Sequence, residues 1–367
     1  MKTVAKPFAH LCLCLAIPGG ALASETKYPI AGETTFRYYG WFHFANQSVD
    51  DGVETTSNIV DVTNANTRFG FFIEGESPLS FQFESALGFR QSQKTSQTNT
   101  PDFWNWDRTF LRQVQMIFDD GYGTFRLGQG SMATDGAAES DLGSTVVVAK
   151  STIPESHGGF FFRDAAGVLT AVNIGAVFSN FDGGRRLRVR YDTPRFNGLS
   201  VAVAYGKEVL KSGVNDRFYD FALRYDAETG AYRFKAALGM HWVNAPSLPT
   251  ARGTVGSVSL LHSPTGLNLS LAAGKQHDTG ADYVYLKGGW NADFWSVGPT
   301  KLIAEGYWGD DHLRRGSRSQ MWGLALLQEF EQQNLEAYAG YRFFTYSDRA
   351  AQYQDIGAWQ IGARWRY

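Results

Sequence analysis

Two sets of charged residues carry whatever chemistry this chain performs. Asp135, Glu139, Asp141, Glu155 and Asp164 fall within one segment, residues 131–184. Arg37, Arg68, Arg90, Arg126, Arg186, Arg188 and Arg190 lie on the polar positions of alternating apolar stretches. Carboxylates and guanidiniums facing one another across a narrow wet gap make a transverse field that orients dipolar solutes and excludes apolar ones. Guanidinium also stays charged at every relevant pH. Covalent chemistry finds no support. His43, His157, His241, His262, His277 and His312 stand at no metal-ligand spacing, and no H-E-x-x-H, G-x-S-x-G or P-loop pattern occurs. No catalytic residue, cofactor or metal is expected.

The elements that must position these charges are strands. From Thr35 onward the pattern alternates with period two in segments of about ten residues. Leu187, Val189 and Tyr191 share one face, and Arg186, Arg188 and Arg190 the other. Phe36, Tyr38, Phe42 and Phe44 likewise oppose Arg37 and His43. About sixteen such segments make the chain all-β. Arg112 shares parity with Val114, Met116 and Phe118, so it faces outward unless a bulge intervenes.

The connections alternate in length. Short ones with turn chemistry fall at residues 76–78, 119–121, 193–197, 227–230, 263–265 and 331–333. Between them lie longer polar ones, at about 46–64, 91–107, 131–184, 207–216, 243–252, 310–318 and 347–356. A meander with short turns on one rim and long loops on the other is the layout of a transmembrane up-and-down barrel. Arginine facing lipid near mid-bilayer costs about 2–4 kcal/mol, so the Arg-bearing faces must turn toward a wet lumen. About sixteen strands enclose a lumen too wide for wall side chains to fill.

Composition excludes other classes. The 367 residues are 43% hydrophobic and 19% charged, with a formal charge of −2. Beyond the first few dozen positions no run approaches the ~18 apolar residues of a membrane-spanning helix. With no Lys/Arg block, nucleic acid is not an expected partner. Residues 1–23 read as a secretory signal peptide: Lys2 and Lys6, an apolar core from Phe8 to Ile17, then Ala21-Leu22-Ala23. Cys12 and Cys14 both lie inside it, so an exported chain from Ser24 onward has no thiol chemistry. Residues 24–367 are expected to form a single barrel domain.

The segment 131–184 exceeds ordinary connections and is functional or disordered. Its apolar stretches Val146-Val147-Val148 and Phe160-Phe161-Phe162 argue that it folds into the lumen and narrows it. Residues 168–178 offer an additional strand, which would change the strand count.

Several dispersed motifs carry a family resemblance. Asn66-Thr67-Arg68-Phe69-Gly70-Phe71, Gly123-Thr124-Phe125-Arg126-Leu127-Gly128, Pro154-Glu155-Ser156-His157-Gly158-Gly159 and Arg190-Tyr191-Asp192-Thr193-Pro194 resemble segments of the Gram-negative general porins. The terminal Trp365-Arg366-Tyr367 is similar to that family's C-terminal strand signal, read by the outer-membrane assembly machinery. The resemblance implies a homotrimeric, water-filled diffusion pore in the bacterial outer membrane, among lipid and lipopolysaccharide, passing small hydrophilic solutes. It further implies Glu155 as an eyelet carboxylate, Arg68 as an opposing wall cation and Arg112 near a second. Ser156-His157 stand where that family has an aromatic, and Trp41 where it has a lysine. Converging wall arginines predict a preference for anions. A substrate-selective sugar or small-anion porin is the alternative, and the sugar form would need lumen aromatics such as Tyr39 and Trp41 in a continuous strip.

Overall fold

The computed structural model describes residues 27–246 and 248–367. The expected signal peptide lies outside the described residues. Alternation resolves into a closed antiparallel barrel of sixteen strands. In chain order the first half comprises Thr34–Asp50, a second strand in two pieces (Thr55–Asp61 and Arg68–Glu74), Leu79–Ala86, Leu111–Asp119, Thr124–Ser131, Arg185–Asp192, Leu199–Lys207 and Arg217–Thr229. Tyr232–Asn244, Ala251–His262, Leu267–Gln276, Asp282–Trp295, Gly298–Asp310, Arg318–Phe330, Leu335–Ser347 and Ile356–Arg366 complete it. The second strand is split by a 3-10 turn, Thr63–Ala65, while its neighbour Thr34–Asp50 runs unbroken beside both pieces.

The barrel closes where Thr34–Asp50 pairs with Ile356–Arg366, from Trp41 opposite Arg366 to Asp50 opposite Gly357. Below that register a short strand, Tyr28–Ala31, takes over the same edge, with Tyr28 opposite Phe36. One seam position is therefore filled by segments from both ends of the described chain.

Leu187, Val189, Leu269, Leu271, Leu324 and Ile361 are exposed on the outer face, where lipid covers them. The lumen side of the same strand as Leu187 holds Arg186, Arg188 and Arg190. Long loops do gather on one rim, with one correction. The expected loop at 46–64 is only residues 51–54, because strand pairing continues from Phe44 opposite Asp61 to Asp50 opposite Thr55. Here the lumen face packs against the inserted loop and the outer face is Ser/Thr/Asn-rich, which hides the alternation.

Residues 132–184 fold into the lumen as a packed unit. Ile153, Phe160, Phe162, Ile174 and Phe178 bury themselves against Tyr283, Tyr307, Phe344 and Tyr346 of the wall. A second cluster sets Val147, Val148 and Ala149 against Val60, Ile303, Leu327 and Tyr338. Each buried aromatic removes roughly 150–250 Å² from water, at about 25 cal/mol per Å², so the insert is held as firmly as a domain core. Leu169–Asn173 is indeed a strand, but it pairs with Phe161–Arg163 inside the insert rather than joining the wall.

Candidate functional site

Arg186, Arg188 and Arg190 project inward from Arg185–Asp192, spaced two residues apart, or about 6.6–6.8 Å of strand. Arg188 is buried, donating from Nε to Ser131 O (3.0 Å), from Nη1 to Gly128 O (3.0 Å) and from Nη2 to Gln115 Oε1 (2.5 Å). It can lie there because a diagonal neighbour on the adjacent strand is glycine: Gly130 stands opposite Arg186, and a Cβ there would come within 2.6 Å of the Arg188 Nη2. Arg190 pairs with Asp192 at 2.6 Å and donates to Met132 O, and Arg126 shares Asp192 at 3.3 Å. Arg37 lies nearer the short-turn rim, paired with Glu74 at 3.2 Å and stacked over Phe72.

Arg112 faces the lumen. The register slips between Glu84 and Ser85, whose partners are Gln113 and Leu111, so Arg112 is the extra residue of a bulge. Its Nε meets Glu84 Oε1 at 2.5 Å, and Arg68 reaches the same oxygen at 3.3 Å. Arg68 also donates to Asn66 and lies over the Trp41 ring.

The loop acids separate into two groups. Asp141 is buried against Lys287 at 3.0 Å and accepts from Gly143 N and Thr145 N. Asp135 sits 3.6 Å from Arg185. Glu139 and Glu155 share Lys150, each at 2.9 Å. Burial disfavours the Lys150 ammonium, but these two carboxylates more than offset that and raise its pKa. Asp164 stands apart from the expected constriction. It caps the 163–169 turn by accepting from Ala166 N and Val168 N, beside Tyr353 of the neighbouring loop. Arg90 also differs from expectation. The wall strand ends at Ala86, and Arg90 donates to Pro101 O within the 87–110 loop.

The tip that carries Glu155 is a single helical turn, Pro154–His157, with proline where a helix needs no donor. Ser92 Oγ donates to Glu155 O, Gln47 Nε2 to Ser156 O, and Arg342 Nη1 to Ser156 Oγ at 2.7 Å. His157 is buried beside Phe344, and burial, helped by Arg342, pushes its pKa down to about 3.

A polar cavity of about 230 Å³ remains between tip and wall. Glu155 borders it from the loop, and Arg112, Arg185, Arg186, Glu208 and Lys211 border it from the wall. Thus Glu155, Arg112 and Arg186 border one cavity, while Asp141, Asp164, Arg37 and Arg90 are not among its lining. Arg185, Glu208, Lys211 and the tethering Lys150 were not singled out by sequence. Arg185 precedes the alternating stripe and shares parity with lipid-facing Leu187, so no periodic signal marks it.

Residues 9–363 match the family described as Gram-negative porin. The chain belongs to that family. No curated sequence matches it. Among solved structures, the anion-selective porin from Comamonas acidovorans is similar at a TM-score of 0.61 and 16% identity, over 91% of this chain and 100% of that one. OprB of Pseudomonas putida gives 0.60 at 10% identity, over 90% and 94%. The channel DcaP of Acinetobacter baumannii gives 0.59 at 10%, over 93% and 99%. This porin is therefore an outer-membrane diffusion channel, with the inserted loop narrowing its lumen.

Proposed function

We propose that this porin prefers small anions. The observation that carries the reading is the lining of the cavity at the loop tip, taken as part of the passage: it holds four cations, Arg112, Arg185, Arg186 and Lys211, against two acids, Glu155 and Glu208. The remaining loop carboxylates are held by their own partners, Asp141 by Lys287 and Glu139 by Lys150. A cation excess in a narrow wet gap raises local anion concentration. Anion selectivity is also what the name of the Comamonas acidovorans structure states of that protein. A sugar track has less support, since Trp41 is covered by Arg68 and Arg364, and Phe72, which pairs with Tyr39, is covered by Arg37.

The working form is a homotrimer set in outer-membrane lipid and lipopolysaccharide. OmpT of Vibrio cholerae, similar at a TM-score of 0.53, is described in a trimer form. Outward-facing Phe42, Trp365 and Tyr367 stack together beside the seam, where a second copy can cover them. Trp365 and Tyr367 also end the strand that the assembly machinery would read. The deciding experiment is the zero-current potential of the purified protein in a planar bilayer under a KCl gradient. A sign set by chloride supports the reading, and a sign set by potassium overturns it.

A further inference from the structure

The wall arginines differ in how fully their hydrogen-bonding capacity is used. Arg188 has three acceptors, and Arg342 is met by Glu305, Ser156 and Val148 O. Arg185 and Arg186 differ. Their carboxylate partners, Asp135 and Glu208, stand at 3.6 and 3.7 Å, beyond hydrogen-bond length. Arg186 lies over the Phe218 ring and donates from Nη1 to Arg185 O, but among the described residues the Nε of each guanidinium is buried without a partner. Both border the cavity beside Glu155. So do Gln91 and Gln129, which are 9% and 7% exposed and whose amide oxygens are buried and unpaired. Buried polar groups are ordinarily satisfied, and four incompletely satisfied side chains around one small cavity describe a site completed by a solute. The terminal torsion of a Gln amide is soft, so either end can turn to meet it.

The charge distribution selects the solute. Paired guanidiniums suit a carboxylate. Glu155 and Glu208 attract an ammonium and repel a second carboxylate. A sugar leaves the guanidiniums unanswered, and a dicarboxylate sets like charges together. The volume, about 230 Å³, lies below the ~300–1,000 Å³ of drug-sized pockets, so the solute is small.

We propose that this cavity is a binding subsite for a small zwitterionic amino acid, its carboxylate on Arg185 and Arg186, its ammonium toward Glu155, and its remaining polar groups met by Gln91 and Gln129. The subsite rests on the reading of this cavity as the passage. The test is KCl current through the purified protein in a planar bilayer as L-glutamine is added, with succinate and glucose as comparators. Glutamine is expected to reduce the current saturably and at lower concentration than either comparator. Arg186→Gln and Gln129→Leu should each raise the half-blocking concentration about tenfold, with barrel formation read separately from heat-dependent gel migration. If Arg186→Gln does not form a barrel, Gln91→Leu takes its place. Glutamine block that is absent or equal to that of glucose, with KCl current flowing, overturns the subsite and leaves the pore standing. Absence of KCl current from a folded, inserted protein overturns both.

Discussion

Arg342 joins the wall to the loop tip: its Nε meets Glu305 Oε1 at 2.6 Å while its Nη1 donates to Ser156 Oγ at 2.7 Å. The hydroxyl of Tyr285 caps the other Glu305 oxygen at 2.7 Å. The residue beside Glu155 is thus fixed by an ion pair spanning two wall strands, and Glu155 takes its position from residues outside the cavity it borders.

Arg342→Met should therefore cost about 3–5 kcal/mol, because it leaves Glu305 buried and unpaired. Urea unfolding would measure this, and the released tip should add fluctuation to the single-channel current. The double variant Arg342→Met/Glu305→Gln should recover part of the stability. Single and double variants equally stable would show that the pair is not what holds the tip.

Lys150 pairs with two carboxylates at once, so Lys150→Met should leave Glu139 and Glu155 together without their cation. The zero-current potential is expected to move toward potassium, in the direction opposite to Glu155→Gln. Identical shifts from the two variants would contradict the shared pairing.

Removing a wall cation acts from the other side of the gap. Arg186→Glu should lower the chloride-to-potassium permeability ratio several-fold, and lower it more at low salt, where screening is weakest. Arg37→Glu, near the short-turn rim, should have a smaller effect. Paired reversal-potential measurements at two ionic strengths would compare them.

His157 gives the insert a defined acid sensitivity. Its folded pKa, about 3, lies below the unfolded value of about 6.5, so the unfolded chain binds the proton first. The stability linked to the neutral ring is present above pH ~6.5 and falls as pH drops toward about 3, by up to about 1.4 kcal/mol per unit. His157→Phe, which keeps a ring against Phe344, should remove that slope. Unfolding midpoints between neutral pH and pH ~4, native against variant, would show it.

Much of the barrel is legible because lipid outside and water inside impose opposite faces on every strand. Leu187 to Tyr191 declare their register unaided. The pattern weakens where the lumen is not water. Gln47 and Val49 face the insert, so residues 46–50 and 55–61 look like loop although they are paired strands. Arg112 meets the stated exception to its parity, because a bulge adds one residue and turns it to the lumen. Arg185 could not be found by parity at all, since it borders the passage from a strand end. Lys150, Glu305 and Arg342 act through tertiary pairs whose members are far apart in sequence, which no local spacing encodes. Glu155 was one of five spaced loop acids, and the Pro-Glu-…-Gly-Gly tip's resemblance to a known loop set it apart from the other four.

The seam sets a rule for when this molecule can come into being. Thr34–Asp50 finds its second edge only in Ile356–Arg366, more than three hundred residues later, with Tyr28–Ala31 completing the lower part. Until that distant segment arrives, the earliest hairpins present an open, hydrogen-bond-hungry border that must be shielded. Cylinder closure is consequently an all-or-none event at the end of assembly, and a chain stopped short of Ile356 would be a sheet with two free edges rather than a smaller pore.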